Sequence, residues 1–333
     1  METLTVDPSE LSTIDPGDRD LYRDLFAQDW ALGSYGNCWT YVTQACRQLG
    51  LGHKYLDGST LISIGRHGDS YVLTRPVGPR AARAAAELAH ELARDTGAPV
   101  YLKHVGQPDA EELTRRHGFL PMDRHPWTPS SPLDDATYPD VLVNTAELAE
   151  LGLKTPDRSK LRMRLNRFRN GCVDGHTGVS ARQYRPPEDD AWKRTAREIA
   201  AAWSAGRGHD TNDGHAYTNM IDHPADGAYV YLAEVDEHPC GFYLFEAIGP
   251  DTVACYANLC PDATRPGLTE TALCTVLADL HRHGITTVNL GGSEHHTLHT
   301  YKLKFGSPRT LTTVNLVTPP PAGTWSGTNR AVP

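Results

Sequence analysis

Residues 227–260, GAYVYLAEVDEHPCGFYLFEAIGPDTVACYANLC, decide the fold. Three apolar and aromatic runs, GAYVYLAEVD, PCGFYLFEAIG and DTVACYANLC, are separated by turn residues. This predicts three consecutive strands. Downstream, LTETALCTVLADLHRHG (268–284) predicts a long helix ending on Gly284. ITTVNLGG (285–292) predicts a strand, HHTLHTYKLKFG (295–306) a helix and TLTTVNLV (310–317) a final strand. Upstream, DRSKLRMRLNRFRNG predicts a helix, GVSARQYR a strand and DDAWKRTAREIAAAW a second helix. SAGRGHDTNDGHAY (204–217) is polar and Gly-rich, a plain loop or a lid over substrate.

The first half runs on similar lines. Leu21, Leu25, Phe26 and Trp30 recur near helical spacing within 18–33, and the aromatic SYGNCWTYVTQACRQLG follows. STLISIG (59–65) and SYVLTRPVG (70–78) predict a hairpin, and RAARAAAELAHELARDTG a strong helix stopped by Gly97. PVYLKHV (99–105) predicts a strand and DAEELTRRHGF (109–119) a helix closed by Gly118. Residues 120–140, rich in Pro, Asp and Ser, read as a linker, and VLVN (141–144) as the first domain's closing strand. The order of elements in both halves resembles the GNAT core, the first half's short helix ending in HGF and the second's in KFG. The expected fold is α/β (α+β): two tandem GNAT-type domains, each a mixed twisted sheet flanked by helices. Their expected bounds are 1–145 and 146–320, with 321–333 a flexible tail.

Composition narrows the function classes. The 333 residues suit two domains, 39% of them are hydrophobic, and no run is long enough to span a membrane. The acidic N-terminus lacks the apolar core of a signal peptide. Seven scattered cysteines without a CxxC pair point to a reduced, cytoplasmic setting and to buried thiols. A net charge of −9 argues against an indiscriminate nucleic-acid binder.

Two features carry chemistry. KTPDRSKLRMRLNRFRN (154–170) sets seven Lys and Arg against the single acid Asp157. Leu161, Leu165 and Phe168 form one stripe that docks on the domain and leaves the arginines outward. Such a face is either a solvated surface or a polyanion-binding patch, for a tRNA backbone or a phospholipid headgroup. VNLGGSEHHTLHTYKLKFGSPR (288–309) runs a strand into Gly291-Gly292 and a helix starting near Ser293. Two glycines permit close backbone approach by a ligand, and N–H groups at a helix start favour an anion or oxyanion. Tyr256 and Asn258, on the neighbouring strand, would line the cleft or hold ordinary sheet positions. His295, His296 and His299 lack a completing ligand set, so no metal is expected. The loop before the long helix, CPDATRPGLTE (260–270), has Arg265 and Gly267 but lacks the Gly-x-Gly cradle with which ordinary GNATs bind acetyl-CoA pyrophosphate. Pro266 removes a further donor there.

The run NLGGS followed by YKLKFG resembles the signature of tandem-GNAT aminoacyl-tRNA-dependent transferases. These include the Fem-type peptidyltransferases and the C-terminal domain of phosphatidylglycerol lysyltransferases. Asn289, Gly291, Gly292, Tyr301, Lys302, Phe305 and Gly306 match that pattern. KLRMRLNRFRNG and SYGNCWTY (34–41) are similar to segments of the lysyltransferase family. The membrane-embedded half and the coiled-coil insertion found in some relatives have no counterpart here.

The resemblance implies transfer of an aminoacyl group from charged tRNA to an amine or hydroxyl of a small-molecule acceptor, with no other cofactor. It implies that Lys302, Tyr301 and Asn289 are catalytic, Lys302 stabilising the oxyanion. Gly291, Gly292, Ser293, Tyr256 and Asn258 would contact substrate, and Arg162, Arg164, Arg167, Lys304 and Arg265 would hold the tRNA. No nucleophile elbow is present, and an activated ester needs none. A CoA-dependent N-acyltransferase and a non-catalytic GNAT-like binding module stay open beside this reading.

Overall fold

The computed structural model describes residues 11–28, 33–45, 52–67, 69–74, 76–122, 138–149, 159–171, 178–187, 189–207, 214–261, 265–293, 296–305 and 309–319. Trp30, Lys154, Asp157, Arg158, His295, Gly306, most of the 120–140 segment, the middle of the 204–217 loop and the tail lie outside them. Two compact units emerge. One comprises Met1–Leu21, Gln48–Pro129 and Thr313–Pro333, the other Tyr22–Arg47 and Ser130–Thr312.

The first unit is a seven-stranded mixed sheet. Its strands are β1 (Ser12–Thr13), β2 (His53–Asp57), β3 (Thr60–His67), β4 (Ser70–Leu73), β5 (Val100–Gly106), β6 (Leu120–Met122) and the late β14 (Thr313–Val317). Their order is β1-β2-β3-β4-β5-β14-β6, with only β4 and β5 parallel. The crossover between those two is helix α2 (Ala81–Thr96), ended by Gly97 in the left-handed region at φ 67°. Its alanine-rich face, with Leu88 and Leu92, packs on Ile62, Ile64, Leu73 and Leu102. Small side chains let the helix sit close to the sheet, and each buried leucine contributes about 2 kcal/mol. Helix α3 (Gln107–His117) follows β5 and ends at Gly118.

The second unit holds helix α1 (Arg19–Phe26) in large part and a short wide-turn helix at Tyr41–Ala45. Its sheet is built from β7 (Asp140–Asn144), β8 (Val179–Tyr184), β9 (Tyr229–Val235), β10 (His238–Ala247), β11 (Thr252–Leu259), β12 (Thr287–Asn289) and β13 (Arg309–Leu311). The order is β13-β7-β12-β11-β10-β9-β8. β11 and β12 pair in parallel, joined by α8 (Leu268–Arg282). Between β7 and β8 lie α4 (Ala146–Ala149) and α5 (Ser159–Gly171). Between β8 and β9 lie α6 (Trp192–Arg207) and α7 (Gly214–Asp222). α9 (His296–Lys302) precedes β13. Leu161, Leu165 and α8 pack on one face of the sheet with Tyr243, Phe245 and Val253. Trp192 of α6 stacks on Phe242 at 5.9 Å on the other face. Among the described residues, no helix is long and apolar enough to cross a membrane.

Both sheets are mixed and helix-flanked, as expected, but the expected boundary at residue 145 is corrected. VLVN does not close the first sheet: β7 pairs with β12 and β13 in the second, Val143 opposite Val288. TLTTVNLV is not one strand. It divides at Thr312, β13 completing the second sheet and β14 entering the first between β5 and β6. The apolar alternation of a short strand says which face is buried but not which sheet it joins.

Candidate active site

The ladder between β11 and β12 stops early. It runs from Thr252–Thr287 to Ala254–Asn289 and goes no further. β11 also carries a bulge: Phe245 opposes Cys255 and Leu244 opposes Ala257, so Tyr256 is the extra residue. A bulge bends its strand and re-aims the side chains around it. Beyond the last pair stands Tyr35, from the SYGNCWTY run, whose hydroxyl donates to the Cys255 carbonyl at 3.1 Å. Its ring lies against Gly291, where a Cβ would come within 2.8 Å of it. Gly291 sits at φ 71°, so both conformation and space call for glycine.

The segment bearing Tyr35 is fastened at four points. The Gly33 N–H donates to Ile248 O at 3.1 Å, and the Gly33 carbonyl accepts from Asn289 Nδ2 at 3.0 Å. Glu246 accepts from the backbone N–H groups of Trp39 (3.1 Å) and Thr40 (2.9 Å). Burial pushes its carboxyl above the usual range, and those N–H groups offset part of the rise. The Cys38 thiol donates to the Tyr256 hydroxyl at 2.7 Å, which in turn donates to the Tyr35 carbonyl. Tyr256 is therefore a buried anchor rather than a cleft-lining contact, and its hydroxyl is fully committed.

Asn289 has a similar fate. It is wholly buried; Nδ2 donates also to Asp140 Oδ2 at 3.0 Å, and Oδ1 accepts from the Gly291 N–H at 2.8 Å. Both ends of the amide are thus engaged in holding the turn. The Gly291 N–H is thereby already used. The described part of the helix that follows spans His296–Lys302. Gly292 leaves no room for a side chain, since a Cβ would lie 2.6 Å from the Tyr138 carbonyl. Asn289→Leu keeps the volume and removes three hydrogen bonds. We expect stability to fall by about 3 kcal/mol and the thermal midpoint, followed by circular dichroism, by about 10 °C.

Lys302 closes the turn from α9. Its ammonium donates to the Gly291 carbonyl at 3.3 Å and to that of Gly292. Burial pushes the nearby Cys255 thiol up to about 12, with Lys302 drawing it partly back. His299, one turn before Lys302, stacks on Tyr138 at 4.8 Å. Desolvation first, then Lys302 and His296, lower its pKa, which keeps the ring neutral. Tyr301 points elsewhere: burial, reinforced by Glu270, raises its phenol far above the ordinary value, so it holds its proton.

At the start of α8, a carboxylate is matched by two cations. Gly267 leads into the helix at φ 90°, and Glu270 in the first turn is nearly buried. Lys304 Nζ lies 3.2 Å and Arg164 Nε 4.0 Å from Glu270 Oε1. Lys304 also stands 5.0 Å from the centre of the Tyr301 ring. Two of the residues expected to hold tRNA are thus engaged with a carboxylate. Arg162, Arg167 and Arg265 are placed differently. Leu161, Leu165 and Phe168 are buried as the sequence predicts, leaving Arg162 half-buried and Arg167 exposed on the outward face of α5. An open groove there is lined by Ser159, Arg162, Met163, Asn166, Arg167 and Asn170. Arg265 is exposed just ahead of α8.

Sequence reasoning missed Glu246, Tyr138 and Glu270. The one available signal was a carboxylate inside the apolar run GFYLFEA, which is unusual unless it has hydrogen-bond partners.

Two mixed sheets, the interrupted parallel pair and the glycine turn define a GNAT-type fold. The family described as phosphatidylglycerol lysyltransferase, C-terminal, matches residues 44–317, and the chain belongs to it. Solved structures share the fold. A conserved protein of unknown function from Bacteroides thetaiotaomicron is similar at TM-score 0.70 and 16% identity, over 92% of this chain and 98% of that one. L-PGS from Bacillus licheniformis is similar at TM-score 0.63 and 14% identity, over 92% of each chain. FemX is similar at TM-score 0.59 and 13% identity, over 93% of this chain and 97% of that one. No curated protein sequence matches the chain.

Proposed function

We propose that the chain transfers an aminoacyl group from charged tRNA, in the cytoplasm, to an amine or hydroxyl of a small-molecule acceptor, forming an amide or ester. The observation that carries this reading is the Lys302 ammonium, held at the glycine turn beside the end of the β11–β12 ladder. An aminoacyl ester is already activated, so the site has to orient two substrates and stabilise the oxyanion. Lys302 supplies the positive charge, and the turn carbonyls hold it in place until charge develops on the substrate. Arg162, Arg167 and Arg265 bind the tRNA backbone; Arg164 and Lys304 act through Glu270. The family's name, with its lysyl transfer to phosphatidylglycerol, supports aminoacyl chemistry. The loop ahead of α8 lacks the Gly-x-Gly cradle with which ordinary GNATs hold acetyl-CoA pyrophosphate, and Pro266 removes a further donor there, which weighs against acyl-CoA.

Binding of bulk charged tRNA at 50 and 200 mM salt, with acetyl-CoA as competitor, tests the reading. Three phosphate contacts predict an affinity loss of about 20-fold or more between the two salts, with no displacement by acetyl-CoA. Absence of tRNA binding at low salt, together with clear acetyl-CoA binding, would make the chain a CoA-dependent transferase.

A further inference from the structure

Helix α5 carries two kinds of chemistry on its outward face, and the reading above uses one of them. Leu161, Leu165 and Phe168 are buried on its inner side. The groove on the other side is lined by two rows of side chains, spaced at about one helical turn. One row is Arg162, Asn166 and Asn170; the other is Ser159, Met163 and Arg167. Neighbours along a row stand about 5–6 Å apart. Asn166, Arg167 and Asn170 are exposed, and Met163 is 58% exposed. The open groove measures about 820 Å³, far more than a single anion fills, and among the described residues no carboxylate lines it.

The arginines are suited to phosphates, but the amides are suited to something else. A phosphate oxygen only accepts, and a charged donor serves it better than a neutral amide. A carboxamide both donates and accepts, as a hydroxyl does. Asn166, Asn170 and the Ser159 hydroxyl therefore suit a ligand that presents hydroxyl groups between its phosphates. RNA presents one at every ribose 2′ position, and DNA does not. The form of the RNA follows from the lining. Single strands are held by stacking bases on aromatic rings, and among the described residues no aromatic side chain lines this groove. Side chains cannot read the deep, narrow major groove of duplex RNA, whereas its wide, shallow minor groove displays the 2′-hydroxyls. An anionic lipid surface also offers phosphates and hydroxyls. A helix that lies on one buries a broad apolar face, and Met163 is the single apolar residue of this lining.

We propose that the outward face of α5 lies along the minor groove of a base-paired stem of RNA. Arg162 and Arg167 meet its phosphates, and Ser159, Asn166 and Asn170 meet its 2′-hydroxyls. Met163 packs on ribose carbons between them. The inference rests on the aminoacyl-tRNA reading and adds how the chain tells RNA from other polyanions.

The test uses the full chain with bulk tRNA, a short RNA hairpin, the same hairpin in DNA, an unpaired RNA of equal length, and phosphatidylglycerol vesicles. Affinities are measured at 50 and 200 mM salt for the wild type, the double variant Asn166→Ala with Asn170→Ala, and Arg167→Gln. The wild type is expected to bind the RNA hairpin at least about 10-fold tighter than the DNA hairpin, and tighter than the unpaired RNA. In the double variant the RNA-to-DNA ratio falls to near one while the salt dependence is kept. Arg167→Gln weakens both hairpins alike and lowers the salt slope by about one. All three positions are exposed, and Ala favours a helix more than Asn does, so the thermal midpoint of the double variant holds or rises. Equal binding of RNA and DNA hairpins by the wild type overturns the minor-groove contact and leaves the tRNA reading standing. So does a double variant that keeps the ratio, or tighter binding of the unpaired RNA. Failure of the wild type to bind bulk tRNA, whether or not it binds the vesicles, removes the tRNA reading itself and the α5 contact with it.

Discussion

Lys302→Ala is expected to lower single-turnover aminoacyl transfer by about 10²- to 10³-fold, the effect of deleting one preorganised oxyanion donor. The ammonium now bridges the Gly291 and Gly292 carbonyls, two groups that can accept from water once it is gone. The loss should thus appear in the rate, with charged-tRNA affinity nearly kept, because Arg162, Arg167 and Arg265 are untouched. Lys302→Arg restores positive charge at the turn and should recover part of the rate, which a merely structural strap would not require. Transfer by Lys302→Ala at close to the wild-type rate would remove Lys302 from the mechanism.

Gly267→Ala should be the most damaging single methyl in the second unit. At φ 90° any L-residue is strained, by about 1–3 kcal/mol. The new Cβ would also overlap the Arg164 carbonyl oxygen and stand 3.2 Å from Phe168 Cβ, so α5 would have to move off α8. Backbone cannot yield as a side-chain tip can. We expect a loss of about 3 kcal/mol or more, and a thermal midpoint lower by on the order of 10 °C. A shift of α5 would also displace Arg164 from Glu270 and carry the arginine face with it, so tRNA binding should weaken in parallel. A midpoint within a degree of wild type would show that the two helices are not held at this spacing.

How much of this was legible in the chain depended on the range of the interaction. The stripe of Leu161, Leu165 and Phe168 has helical period, and all three are buried. Strands β9, β10 and β11 were readable because each is a long apolar run bounded by turn residues. Strand β2 escaped because HKYLD mixes charge with apolar residues and lacks clear alternation. The sheet membership of VLVN and TLTTVNLV was not readable at all, since it is fixed by pairing across 140 and more residues. Within the site, the motif located Lys302 beside the glycine turn. It could not show that Asn289 and Tyr256 are spent on holding the turn and the Tyr35 segment. The partners that engage them, Gly33, Asp140 and Cys38, are distant in sequence.

Strand β14 also bears on how the protein is made. The first sheet has a vacancy between β5 and β6 that only residues 313–317 fill. A ribosome delivers the chain from its N-terminus, and domains commonly fold in that order. Here the unit begun first cannot be finished until Val317 has emerged, after the whole of the second unit. Throughout that interval β5 and β6 hold open ladder edges, the kind of surface that templates misassociation. A nascent chain stalled just before Thr313 would carry a nearly complete second unit behind an unsealed first one.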